Sequence, residues 1–113
     1  YPGANPLDTA FFAENRTRRA KFTAFGMTKR AGRSASNDPG VAALLDAKAD
    51  AICFVAKAWD YHVRVALETT PEENLDGIRE SVRAAAMATS KRSPAGASKT
   101  LTSTSTPHFT VRL

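Results

Sequence analysis

Three dipeptides divide this chain into units. Asn5-Pro6, Asp38-Pro39 and Thr70-Pro71 each set a residue with a capping side chain directly before a proline. Proline suits the first helical position, because its φ matches a helix and its missing N–H would have no partner there. Each pair therefore predicts a helix start, and the pairs lie 33 and 32 residues apart. After Thr70, Glu73 stands where a capping box would let the two residues satisfy each other's backbone donors. The apolar residues that follow each start fall at helical spacing. They are Leu7, Ala10 and Phe11 in the first helix, and Val41, Leu44 and Leu45 in the second. In the third they are Leu75, Ile78 and Val82, continued by Ala85 and Ala86.

Two strand candidates lie between these helices. KFTAF (residues 21–25) alternates apolar with small or polar residues, and AICFVA (residues 51–56) is apolar throughout. A strand apolar on both faces is what a parallel sheet covered by helices requires. The order helix, strand, helix, strand, helix is the α/β pattern. A (β/α)8 barrel of ~250 residues has about 31 residues per unit. Rossmann and flavodoxin-like sheets have similar units, so the period fits all three. The units share an outline and no sequence, which argues against an array of identical repeats. Two strands alone neither close a barrel nor make a stand-alone sheet.

From residue 89 the chain reads TSKRSPAGASKTLTSTSTPHFTVRL, the composition of a flexible, disordered tail. HFTVRL within it is a candidate short strand. The expected organisation is a folded region over residues 1–88 and a low-complexity tail over residues 89–113.

At 113 residues the chain is at most one small domain. Cys53 has no cysteine to pair with in this chain and serves as a small hydrophobe, which fits a reducing compartment. No apolar run approaches the ~20 residues that span a bilayer. YPGANPLD has neither the basic start nor the apolar core of a signal peptide. A cytoplasmic chain with no membrane partner is expected, and a start without Met suggests a trimmed chain or a fragment. The net charge of +5 is concentrated. Residues 16–33 hold seven basic residues (Arg16, Arg18, Arg19, Lys21, Lys29, Arg30, Arg33) and no acidic one. One reading is a small basic module that binds nucleic acid or phosphate there. The plainer reading is a solvated helix end and loop, and nucleic acid is not expected as a partner.

In parallel α/β folds, the loops after the strands' carboxyl ends build the site. Gly26, Met27, Thr28, Lys29 and Arg30 follow the first strand; Lys57, Trp59, Asp60, Tyr61 and His62 follow the second. Arg30 and Lys57 can hold carboxylate or phosphate groups. His62 can donate a hydrogen bond or move a proton near neutral pH. A packing role is the alternative: Trp59 and Tyr61 line the rim, Asp60 caps the short helical segment HVRVAL, and His62 is structural. The chain has no Gly-rich phosphate loop, CxxC, HExxH or nucleophile elbow. Its two histidines, His62 and His108, do not suggest a metal site.

Three stretches carry a family resemblance. YPGANPLDTAFF, FTAFGMTKRAGRSASNDPGVAALLDA and AKAWDYHVRVALETTPEENLDGIRESV together resemble the citramalate synthase branch of the 2-isopropylmalate and homocitrate synthase family. Residues 59–74 are the most specific part, with WD-x-HV, AL-x-TT and EEN in register. The resemblance implies a metal-dependent TIM barrel, present here as about βα units 2–4. It implies an acyltransferase in which the acetyl methyl of acetyl-CoA, a substrate, loses a proton and attacks the keto carbon of a 2-oxo acid. A divalent metal, Mg or Mn, polarises the keto oxygen, and thioester hydrolysis follows. In the citramalate branch the oxo acid is pyruvate and the pathway isoleucine biosynthesis; relatives use 2-oxoisovalerate or 2-oxoglutarate. A homodimeric parent enzyme is also implied. On the family pattern residues 1–5 are the loop after the second barrel strand, and residues 21–25 and 51–56 are the third and fourth strands. His62 falls where the family places a histidine facing the substrate pocket. Thr28, Arg30 and Lys57 are substrate-binding candidates by position. The family's metal ligands, an Arg-Asp pair after the first strand and a His-x-His after a late one, have no counterpart in this chain. The implied fifth strand and its acid-His-Phe-Phe stretch give way to the Ser/Thr-rich tail, a pattern expected if the tail is read in a shifted frame. The expectation is an enzyme segment that is inactive alone.

Overall fold

A computed structural model describes residues 1–14, 19–92 and 109–112. All three proline-led helices form: α1 (Pro6–Ala13), α2 (Pro39–Asp46) and α4 (Pro71–Arg92). Their caps follow the sequence. Asn5 accepts the N–H of Asp8 at 2.8 Å. Asp38 accepts those of Gly40 and Val41 at 2.9 and 3.1 Å. Thr70 accepts that of Glu73 at 3.2 Å. The reciprocal half of the capping box does not form, because the Glu73 carboxylate turns to Lys29 instead.

The sheet is parallel, in the order β1 (Thr23–Met27), β2 (Ala51–Val55), β3 (Phe109–Arg112). Successive parallel strands laid side by side in chain order are compatible with part of a barrel. β1 starts two residues later than KFTAF suggested, with its alternation kept. The reason is local: the carbonyl of Phe22 accepts Asp50 and Ala51 N–H, and its own N–H donates to Asp50 Oδ2 at 2.7 Å. That ties residue 22 to the turn before β2. At the other end Gly26 and Met27, expected in the loop, extend the strand. A Cβ on Gly26 would lie 2.8 Å from Leu44 and from the Tyr1 ring, so only glycine lets α2 approach this closely.

Between α2 and the sheet lie Ala24, Val41, Leu44 and Phe54, all at or near full burial, joined by Phe12, Ala47 and Ala85. Two expected helix faces are corrected. α1 buries Phe12, which packs on the Phe22 ring at 4.9 Å, while Leu7 is 83% exposed. On α4 Ala85 is buried as predicted, but the stripe reaches it through Gly77 and Ser81, with Ile78 and Val82 half-buried beside it and Leu75 exposed. The sheet is also less covered than AICFVA implied. Its helix-facing side is buried, whereas on the other side Phe25 is 51% exposed and Cys53 and Val55 are half-buried.

The short helical segment that the packing alternative read over HVRVAL forms as α3 (Asp60–Val65), two residues earlier at its start, with Val63 buried beneath it. Its N-cap is Trp59, without a side-chain bond, and not Asp60 as the packing alternative held. Glu68 then takes a left-handed φ of 51° to turn the chain into α4. α4 runs four residues past the expected boundary at 88, and Phe109–Arg112 supplies the strand that HFTVRL suggested. The remainder of the expected disordered tail, residues 93–108 and 113, and the basic pair Arg16 and Arg18 lie outside the described residues.

Candidate functional site

The parallel register puts the carboxyl ends of β1 and β2 side by side, with Met27 opposite Val55. The loops carrying the four predicted site residues are therefore neighbours in space, as the sequence required. The loops differ in how they are held.

The loop after β1 is fastened by its backbone. Lys29 N–H donates to Ser81 Oγ at 2.9 Å and Arg30 N–H to Asp38 Oδ2 at 2.9 Å. Gly32 N–H reaches Glu73 Oε1 at 3.4 Å, and Ala35 N–H reaches Glu80 Oε2 at 3.3 Å. The Lys29 ammonium, its side chain only 6% exposed, lies 3.2 Å from Glu73 and 3.7 Å from Glu80. Thr28 and Arg30 stand on either side of this anchor, half-buried and exposed respectively. Burial pushes the Asp38 carboxyl up, but the N–H groups of Arg30, Val41 and Gly40 and the Arg30 charge outweigh it and hold it low. The Glu73 carboxyl is also held low, chiefly by the Lys29 hydrogen bond and then by Gly32 N–H.

The loop after β2 presents rings. The rings of Trp59 and Tyr61, 58% and 55% exposed, lie tilted against each other at 5.0 Å, and the His62 ring meets Trp59 edge-on at 4.6 Å. Neither aromatic packs into the core. Lys57 is half-buried, and its carbonyl accepts Asn74 Nδ2 at 2.9 Å, which ties this loop to α4.

A cavity of about 330 Å³ opens between the loop after β1, the turn after α3 and the start of α4. Of the predicted residues Arg30 lines it; Thr28, Lys57 and His62 do not. The residues that hold this region, Asp38, Glu73, Asn74, Glu80 and Ser81, were not among the predicted site residues. Ser81 carried one signal, a polar residue among the apolar positions of α4.

Within the basic stretch one described cation, Lys29, is withdrawn from the surface, while Arg30 and Arg33 are exposed. Lys29 is buried and matched by two carboxylates, while Arg19 and Lys21 are exposed. Among the described residues no three His, Cys, Asp or Glu side chains come together to hold a metal ion. No described helix is long and apolar enough to cross a membrane.

Parallel βα units with their candidate side chains at the carboxyl ends define an α/β segment of the kind enzymes use. Comparison with known proteins gives that segment its family. The chain is 49% identical to the (R)-citramalate synthase of Streptomyces coelicolor over 86 residues, 73% of this chain and 16% of the relative. It is 44% identical to the (R)-citramalate synthase of Aquifex aeolicus and 39% identical to that of Geobacter sulfurreducens, each over 73% of this chain and 16% of the relative. The chain carries a segment of the citramalate synthase family, spanning 16% of the length of these curated relatives. No family model matches it. No solved structure matches it.

Proposed function

We propose that this chain is a segment, about βα units 2–4, of a TIM-barrel acyltransferase that condenses acetyl-CoA with a 2-oxo acid, pyruvate giving citramalate for isoleucine biosynthesis. The observation that carries the reading is the 49% identity over 86 residues to a citramalate synthase. The strand-end position of the candidate side chains supports it. In this reading Arg30 and Lys57 attract the carboxylate of the oxo acid. His62 donates a hydrogen bond to it, and Thr28 offers a hydroxyl at the end of β1. The folded enzyme is a soluble cytoplasmic homodimer. The isolated chain turns nothing over, because much of the pocket and the ligands for the divalent metal belong to other parts of the enzyme.

A chimaera tests this. Residues 1–88 replace the matching segment of the Streptomyces coelicolor synthase, and free thiol release from acetyl-CoA is followed with pyruvate and Mg or Mn present. Activity close to the parent's is expected, with His62→Ala lowering kcat/KM by about 100-fold. The chain alone is expected to release no thiol above background. A folded chimaera without activity, or turnover by the isolated chain, would sink the reading.

A further inference from the structure

The first turn of α4 reaches both strand-end loops through neighbouring residues. Glu73 Oε1 accepts from the Lys29 ammonium at 3.2 Å and from the Gly32 N–H at 3.4 Å, which holds the loop after β1. Asn74, the next residue, donates its Nδ2 to the Lys57 carbonyl at 2.9 Å, which holds the loop after β2. Neither bond is needed to start the helix, because Thr70 already caps it. Asparagine is also a poorer helix former than alanine past the cap, since its amide competes for backbone partners. The sequence accepts that local cost at residue 74, and the half-buried amide is directed to a carbonyl 17 residues away. A peptide unit is planar, so a bond to the Lys57 carbonyl also orients the Ala58 N–H and sets how the chain leaves Lys57. Because Glu73 and Asn74 are consecutive on one turn, a single element sets the separation of the two loops.

We infer that Asn74 is a positioning residue: its amide holds Lys57 at a set separation from Arg30, so that the two cations meet one carboxylate. This rests on the proposed role of Lys57 and Arg30 toward the 2-oxo acid. Asn74 acts through the Lys57 backbone and touches no substrate itself.

The test compares the synthase chimaera carrying residues 1–88 with its Asn74→Ala and Glu72→Ala variants, with KM measured separately for pyruvate and for acetyl-CoA. Asn74→Ala should raise KM for pyruvate about tenfold, the worth of one hydrogen-bonded charge. Its kcat and its KM for acetyl-CoA should stay close to the parent's, as for the loss of a ground-state contact to one substrate. Glu72→Ala, exposed on the same turn, should change neither constant. A role in stability alone would instead lower the amount of active enzyme, and so kcat, with both KM values unmoved. A second measurement needs no turnover. In the ¹⁵N-labelled full chain, Asn74→Ala should shift the amides of Ala58 and Trp59 and leave Gly32, whereas Glu73→Gln should shift Gly32 and leave Ala58. An unchanged KM for pyruvate, an equal rise for both substrates, or an Ala58 amide that does not move would each overturn the inference. A wild-type chimaera without turnover would sink the synthase reading alone, and the amides then decide whether Asn74 holds Lys57. A chain without a dispersed amide spectrum does not form this bond and would overturn the inference too.

Discussion

The loops at the ends of β1 and β2 are built on opposite plans. After β1, the N–H groups of Lys29, Arg30, Gly32 and Ala35 all end on side chains of α4 or on Asp38 at the start of α2. After β2, three rings lean on one another with much of their surface in water, and Asn74 ties the loop at Lys57. The first loop has its conformation dictated by the fold. The second spends little on its own stability and keeps apolar surface in reserve, which is how contact surfaces are made.

That contrast breaks if both loops respond alike to mutation. The largest effect is expected from Asp38→Ala, which removes a helix cap and strands the Arg30 N–H. Urea unfolding should show a loss of about 3 kcal/mol. The same carboxylate has a pH signature. Its folded-state value is held low, so its stabilisation is complete above the unfolded value of about 3.9 and disappears as pH falls through the lowered one. Asp38→Asn should flatten that acid limb, and an unchanged limb would assign it elsewhere. Ser81→Ala comes next. It strands the Lys29 N–H in a buried site, at about 1–2 kcal/mol by the same measurement. Lys29→Met keeps the buried stem and loses two ion pairs whose acidic ends are partly solvated, so about 1 kcal/mol is expected. Tyr61→Ala, in the ring cluster, should cost about 0.5 kcal/mol or less, as for an exposed site. A loss there matching that of Asp38→Ala would erase the distinction between the loops.

What the sequence disclosed follows the range of the interaction. The caps at Asn5, Asp38 and Thr70 are local bonds spanning two or three residues, and all three form where the prolines placed them. β2 was legible as an apolar run. β1 was legible in its alternation and not in its limits, because Phe22 is claimed by the turn at Asp50 and Gly26 is required by Leu44. The strand-end placement of Thr28, Arg30, Lys57 and His62 followed from topology. The anchor around Lys29 did not, since its partners Glu73 and Glu80 lie 44 and 51 residues away and no local pattern joins them. Glu73 shows the competition directly: local rules assigned it to the Thr70 cap, and a buried ammonium claimed it.

The short strand β3 bears on the order of assembly. Thr23 pairs with Ala51, whereas Ile52 pairs with Phe109, about twice as far along the chain. Closing the longer loop is slower and carries the larger entropy cost. β1, α2 and β2 thus form an early unit, and β3 arrives at an edge that already exists. Until it does, β2 offers bare N–H and C=O groups to any passing strand. The interval before β3 docks is therefore the period in which one nascent chain can pair with another, and residues 109–112 decide how long it lasts.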